Sequence, residues 1–163
     1  MSRKSRRTVF LVLALLWMAL IFAFSARDAE HSTRDSHRAG RLLGRLLYRD
    51  FDSWSAEWQL AFAERVDYPV RKAAHASEYA VLAVLWLGAL LPPGCGALSA
   101  AAVRAWAIAA LYAVTDEWHQ WYVPGRSTQP GDVAIDGLGA LAGLLIAGAL
   151  AVRIRRRAER KKR

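Results

Sequence analysis

The sequence predicts an all-α integral membrane bundle of four transmembrane helices, with short amphipathic interfacial helices in the first outer loop. Three observations carry that prediction. Four apolar blocks have spanning length, basic residues mass at both ends of the chain, and the stretch between the first two blocks is amphipathic rather than apolar.

A helix crossing ~30 Å of hydrocarbon needs about 20 mostly apolar residues. Residues 1–7 form a basic tail, and the membrane domain is expected over 8–152. Span one, 8–25, has no charge. Its Ala23-Phe24-Ser25 end resembles a signal-peptide cleavage site, but the apolar run exceeds the usual ~7–15 residues of such a signal, so a retained helix is expected. Span two, 73–91, is interrupted only by His75 and Glu78, both near its start. Span three, 99–115, carries Arg104, and span four, 133–152, carries Asp136, again near the start. Residues 153–163 form a second basic tail. The hydrophobic fraction of 55% lies above the roughly 45–50% of soluble domains.

Charge position sets orientation. Twelve of the 23 Lys and Arg residues sit in the two tails, which places both termini in the cytoplasm. Four spans satisfy that and three do not. The net charge of +9 is therefore assigned to topology, and no nucleic-acid partner is expected. Arg104 can snorkel to the cytoplasmic surface. The lone Cys95 excludes an intrachain disulfide, and an inert thiol is favoured over an acylated one.

The first outer loop, 26–72, holds nine basic and eight acidic residues. Leu42, Leu43, Leu46 and Leu47 share one helical face, with Arg38, Arg41, Arg45 and Arg49 on another. Trp54, Trp58 and Phe62 recur at i, i+4 and i+8 behind a Ser53 cap. Both stretches read as helices lying on the outer membrane surface, joined by Trp118, Trp121 and Tyr122 in an aromatic belt.

The spans keep their charge at one end. His75 and Glu78 open span two, Asp116 and Glu117 close span three, and Asp132 and Asp136 open span four, so all six come to the outer end. Arg71, His75, Glu78 and Tyr79 share a helical face, as do Asp116, His119 and Gln120. Asp132, Asp136, Gly139, Gly143 and Ala147 form one stripe. Small residues at that spacing let another helix approach closely, so the acids should point into the bundle. The turn Val123-Pro124-Gly125-Arg126-Ser127 would hold Arg126 above them, offering a planar fork to carboxylate or phosphate. Two readings follow. The group is a site for an amphiphilic or phosphate-bearing ligand, with acid/base capacity, or a polar network that only ties helices together.

Other templates fit poorly. H-E-x-x-H is absent and His75-x-x-Glu78 is too short for zinc, while the acids are of the oxygen type that Mg²⁺ or Ca²⁺ accept. No metal site is expected, and no motif names a cofactor. Ser77 or Ser127 as a nucleophile lacks an evident base.

Three stretches resemble the VanZ-like family, named for a protein associated with teicoplanin resistance. They are Arg71-Lys72-Ala73-Ala74-His75-Ala76-Ser77-Glu78-Tyr79, Asp116-Glu117-Trp118-His119-Gln120, and Pro124-Gly125-Arg126-Ser127 leading to Asp132 and Asp136-Gly137-Leu138-Gly139. They follow the family order R-K-x-x-H-x-x-E-Y, D-E-x-x-Q, P-G-R and D-x-x-x-N-x-x-G over about residues 25–150. Asp136 departs from the Asn common there. The resemblance implies a small multi-pass bacterial membrane protein of the cell envelope, linked to lowered lipoglycopeptide susceptibility, and brings no settled reaction.

On these grounds His75, Glu78, Asp116 and Glu117 are candidates for proton handling. Arg71, Lys72, Tyr79, Gln120, Arg126, Asp132 and Asp136 are candidates for ligand binding. The expected partners are membrane lipids and a lipid-linked or phosphorylated envelope component, with self-association open. Enzyme, binder and scaffold are not separated by sequence.

Overall fold

The computed structural model describes residues 2–91, 98–126 and 129–161, with the side chains of residues 3, 98, 99 and 155 outside the description. Cys95 and its Pro-Gly surroundings, Ser127, Lys162 and Arg163 lie outside the described residues. All regular elements among the described residues are helical: α1 (Arg3–Ser25), α2 (Ala29–Leu47), a 3-10 turn (Phe51–Ser53), α3 (Ala56–Leu90), α4 (Leu98–Gln120) and α5 (Pro130–Arg160).

The starts of α1, α2, α3 and α5 follow from local chemistry. Ser2, Asp28 and Ser55 accept hydrogen bonds from the backbone N–H groups of Ser5, His31 and Trp58, satisfying donors that a first turn leaves free. Pro130 opens α5, where its missing N–H costs nothing. Among the described residues, three helices are long and apolar enough to cross a membrane: Lys4–Ser25, Ala56–Leu90 and Pro130–Arg160. The expected third span falls on α4, which is 23 residues long.

The second amphipathic helix expected behind Ser53 does not form as a separate element. Ser55 is the cap, Trp54 precedes the helix, and α3 then runs unbroken for 35 residues through Pro69. A proline inside a helix removes one backbone bond and crowds the preceding turn. Packing offsets this, because α2 covers the first half of α3 while α1, α4 and α5 cover the second. Trp54 and Phe62 join Tyr48 and Phe51 in a ring cluster at the α2–α3 corner, and Trp58 faces outward. Helix α2 meets α3 at Gly40, where a Cβ would press on Ala63 and Val66. Leu42, Leu46 and Leu47 are exposed, Leu46 by 83%, while Leu43 is partly covered.

Helix α3 is the hub, packing against every other helix. On α4 a stripe of Ala101, Ala105, Ala109 and Ala113 is buried at intervals of one turn, and Asp116 and Gln120 continue the same face. Gly139 and Gly143 of α5 sit directly on the α3 backbone at Ala76 and Ala80. Tyr79, Leu82, Ala83, Ile21, Ala140 and Leu144 fill the space between. Tyr112 donates to the Met18 carbonyl and Trp17 to the Glu78 carbonyl, which fastens α1 to the rest.

Candidate functional site

The polar residues gather where α1 turns into α2. The loop after α4 tightens through Tyr122 N–H to His119 O and Arg126 N–H to Val123 O. Gly125, at φ 72°, supplies the left-handed turn that a side chain disfavours. The Pro124 carbonyl accepts from the Ala29 N–H at 3.4 Å, so this loop is attached to the start of α2. Arg126 is thereby laid across the α1–α2 turn, donating to the Arg27 carbonyl at 3.2 Å and the Phe24 carbonyl at 3.5 Å.

A cavity of ≈ 420 Å³ opens beneath it, between the end of α1, the start of α2 and the middle of α3. Its charged wall is made by Arg27, Asp35, Arg71, His75, Glu78 and Arg126, and Phe24, Ala39, Val70 and Ala74 supply apolar surface. The cations differ in their partners. Arg71 is held on α3 by Asp67 at 2.9 Å and by the Thr33 hydroxyl at 2.9 Å, with Ser36 donating to Asp67. Arg27 pairs with Asp35. Arg126 makes no ion pair among the described residues. Burial, and after it the neighbouring Arg71 cation, lowers its proton affinity below the usual guanidinium range, while Asp116, Glu117 and Glu78 oppose that. A guanidinium still remains charged under such shifts.

Behind the cavity lies a buried polar layer. The His75 Nδ1 is 4.0 Å from the Asp136 Oδ1. Asp136 is 1% exposed and Tyr79 0% exposed. Gln120 donates to one Asp116 oxygen at 3.2 Å. The other Asp116 oxygen, the Tyr79 hydroxyl, the Asp136 Oδ1 and the His75 Nδ1 have no hydrogen-bond partner among the described residues. Buried polar atoms are rarely left so.

The candidates therefore separate into three groups. Arg71, His75, Glu78 and Arg126 line the cavity. Tyr79, Asp116, Gln120 and Asp136 are buried and are not part of its wall. Lys72, Asp132 and Glu117 tie elements together: Lys72 pairs with Asp132 across α3 and α5, and Glu117 accepts from the Gln129 N–H at 3.1 Å, ahead of α5. Sequence reasoning missed Phe24, Arg27, Ser32, Asp35 and Asp67, because the α1–α2 turn reaches the site only through the fold. Among the described residues, no group of three or more His, Cys, Asp or Glu is arranged to hold a metal ion.

The model of the VanZ/LLP1 family matches residues 10–151. The chain belongs to this family. The VanZ/LLP1 match takes in the cavity wall, the buried polar layer and the described turn to Arg126. With its apolar helices, family membership makes the chain a membrane protein. Neither a curated protein nor a solved structure matched it.

Proposed function

We propose that this VanZ/LLP1 chain is a multi-pass cell-envelope protein that recognises an amphiphilic, phosphate-bearing envelope component through the cavity under Arg126. In this reading α1, the second half of α3, α4 and α5 are four spans, both termini are cytoplasmic, and the cavity faces outward. The amphipathic α2 lies in the outer interface, with its leucines against lipid. Lowered susceptibility to lipoglycopeptides of the teicoplanin type is the phenotype proposed to follow.

One observation carries the reading: a half-buried arginine, with no acidic partner among the described residues, overhangs a cavity that also holds Arg71 and His75. Desolvating a cation is costly unless an anion meets it. Its planar fork suits phosphate oxygens. Glu78, whose side chain forms no ion pair among the described residues, supplies an acceptor for a hydroxyl or a protonated oxygen of the head group. The scaffold reading applies to Lys72, Asp132 and Glu117, whose partners lie within the fold.

The test is native mass spectrometry of the detergent-extracted protein with phosphatidic acid and, separately, diacylglycerol, which keeps the chains and lacks the phosphate. Preferential retention of phosphatidic acid is expected. His75→Gln, Glu78→Gln and Arg126→Lys should weaken it with little change in melting temperature. Charge-assisted hydrogen bonds contribute about 1.5–3 kcal/mol, so losing the fork in Arg126→Lys costs about tenfold or more in affinity. Equal retention of both lipids, or losses that follow falling stability in all three variants, overturns the reading and leaves the scaffold.

A further inference from the structure

We propose that the cavity and an apolar groove on the α3–α5 face are the head and tail ends of one site for a membrane lipid with a phosphate head group. This rests on the function proposed above and adds the chain to the head. The groove has a volume of ≈ 300 Å³ and is walled by apolar residues, among them Val81, Val84, Leu85, Gly143, Ile146 and Ala147. Its origin is the same close approach that joins the helices. Gly143 brings α5 onto the α3 backbone at Ala80, and Ala147, one turn further, leaves a furrow beside the larger Ile146.

The two hollows share one strip of α3. Ala74 belongs to the cavity wall and Val81 to the groove wall, while Ser77 lies between them. These residues stand at i, i+3 and i+7, on a single helical face, and all three are exposed. At 1.5 Å per residue the strip is about 10 Å long. A head group under Arg126 would thus continue as a chain along Ala74 and Ser77 into the groove. The chemistry changes accordingly, from arginines and His75 at one end to carbon alone at the other. The apolar part of the cavity wall, Phe24, Val70 and Ala74, points to the same occupant. A soluble phosphate would have no use for it or for the groove.

The experiment compares long-chain phosphatidic acid with glycerol phosphate, which has the head and no chain, on the full-length protein in detergent. Val81→Trp and Ala147→Phe fill the groove, and Leu16→Trp adds the same bulk on the exposed face of α1. The parent should bind the lipid more tightly than glycerol phosphate. Val81→Trp should weaken lipid binding about tenfold, the equivalent of a few buried methylenes, and leave glycerol phosphate unaffected. Leu16→Trp should change neither. Should Val81→Trp fail to accumulate, Ala147→Phe makes the same measurement. Groove variants binding lipid within about twofold of the parent, while Arg126→Lys still loses it, overturn the tail site and leave the head site standing. A parent that binds neither probe overturns both.

Discussion

Gly139 and Gly143 have no room for a side chain, since a Cβ at either position would overlap the backbone of α3 at Ala76 or Ala80. Gly137 and Gly148, on the same helix, would meet nothing. The expected contrast is sharp. Gly139→Ala and Gly143→Ala should lower the melting temperature in detergent through overpacking, which costs about 1–3 kcal/mol. Gly148→Ala should leave it unchanged or raise it, because alanine is the better helix former by up to about 1 kcal/mol. Similar losses in all three would remove close packing as the reason for these glycines. Asp28 gives a pH test. The His31 backbone N–H holds its carboxyl below the ordinary 3.8. A carboxylate with a depressed folded value adds stability that is complete above about 3.8 and fades as pH falls through that lower value. Helix α2 should therefore loosen at its start in acid, seen as faster amide exchange near His31, and Asp28→Asn should remove that dependence. The spacing of the polar residues showed that they share faces, but Glu117 illustrates what spacing leaves open. Its partner, the Gln129 N–H, belongs to a loop whose path no periodicity describes.

Helix α3 is where local rules and the structure diverge. The Trp54-Trp58-Phe62 repeat argued for a surface helix separate from the span, yet one helix covers Ala56–Leu90 and runs through Pro69. The deciding term is tertiary, for α2 packs against the part before Pro69 through Gly40 and Ala63. The stripe of Gly139 and Gly143 was legible because close approach demands small residues at fixed spacing. The buried alanines of α4 were not, since alanine is as common on exposed helix faces as in packed ones. At this scale the Lys72–Asp132 pair links α3 to α5, with each side chain 17% exposed. Removing one member leaves the other partly buried and unpaired, so Lys72→Met or Asp132→Leu alone should lower the melting temperature. The double variant should recover much of the loss, because two apolar side chains of similar size replace the pair without a stranded charge. A double variant as unstable as the sum of the singles would mean that the pair is not coupled.

Helical class and membrane character follow from block length and composition, which survive any error in packing. The number of crossings is a different question, because it rests on α4. Its 23 residues include Arg104, Asp116 and Glu117, so its apolar stretch is shorter than those of α1 and α5. The charge distribution speaks for a crossing. With twelve cations in the terminal tails, an odd number of spans would put one tail outside, against the bias of Lys and Arg toward the cytoplasm. In the fold, α4 contributes its alanine stripe to the core it shares with α3 and α5. Single cysteines at Ser2, Ser53 and Lys161, in a Cys95→Ser background, turn this into a measurement. With an impermeant maleimide on intact cells, Ser53→Cys should react, while Ser2→Cys and Lys161→Cys should react only after lysis. Reaction at 161 but not at 2 before lysis would mean three crossings, with α4 held outside the bilayer plane. Reaction at 2 and 161 but not at 53 would invert the molecule and turn the Arg126 cavity toward the cytoplasm, where its ligand would have to be sought among inner-leaflet lipids.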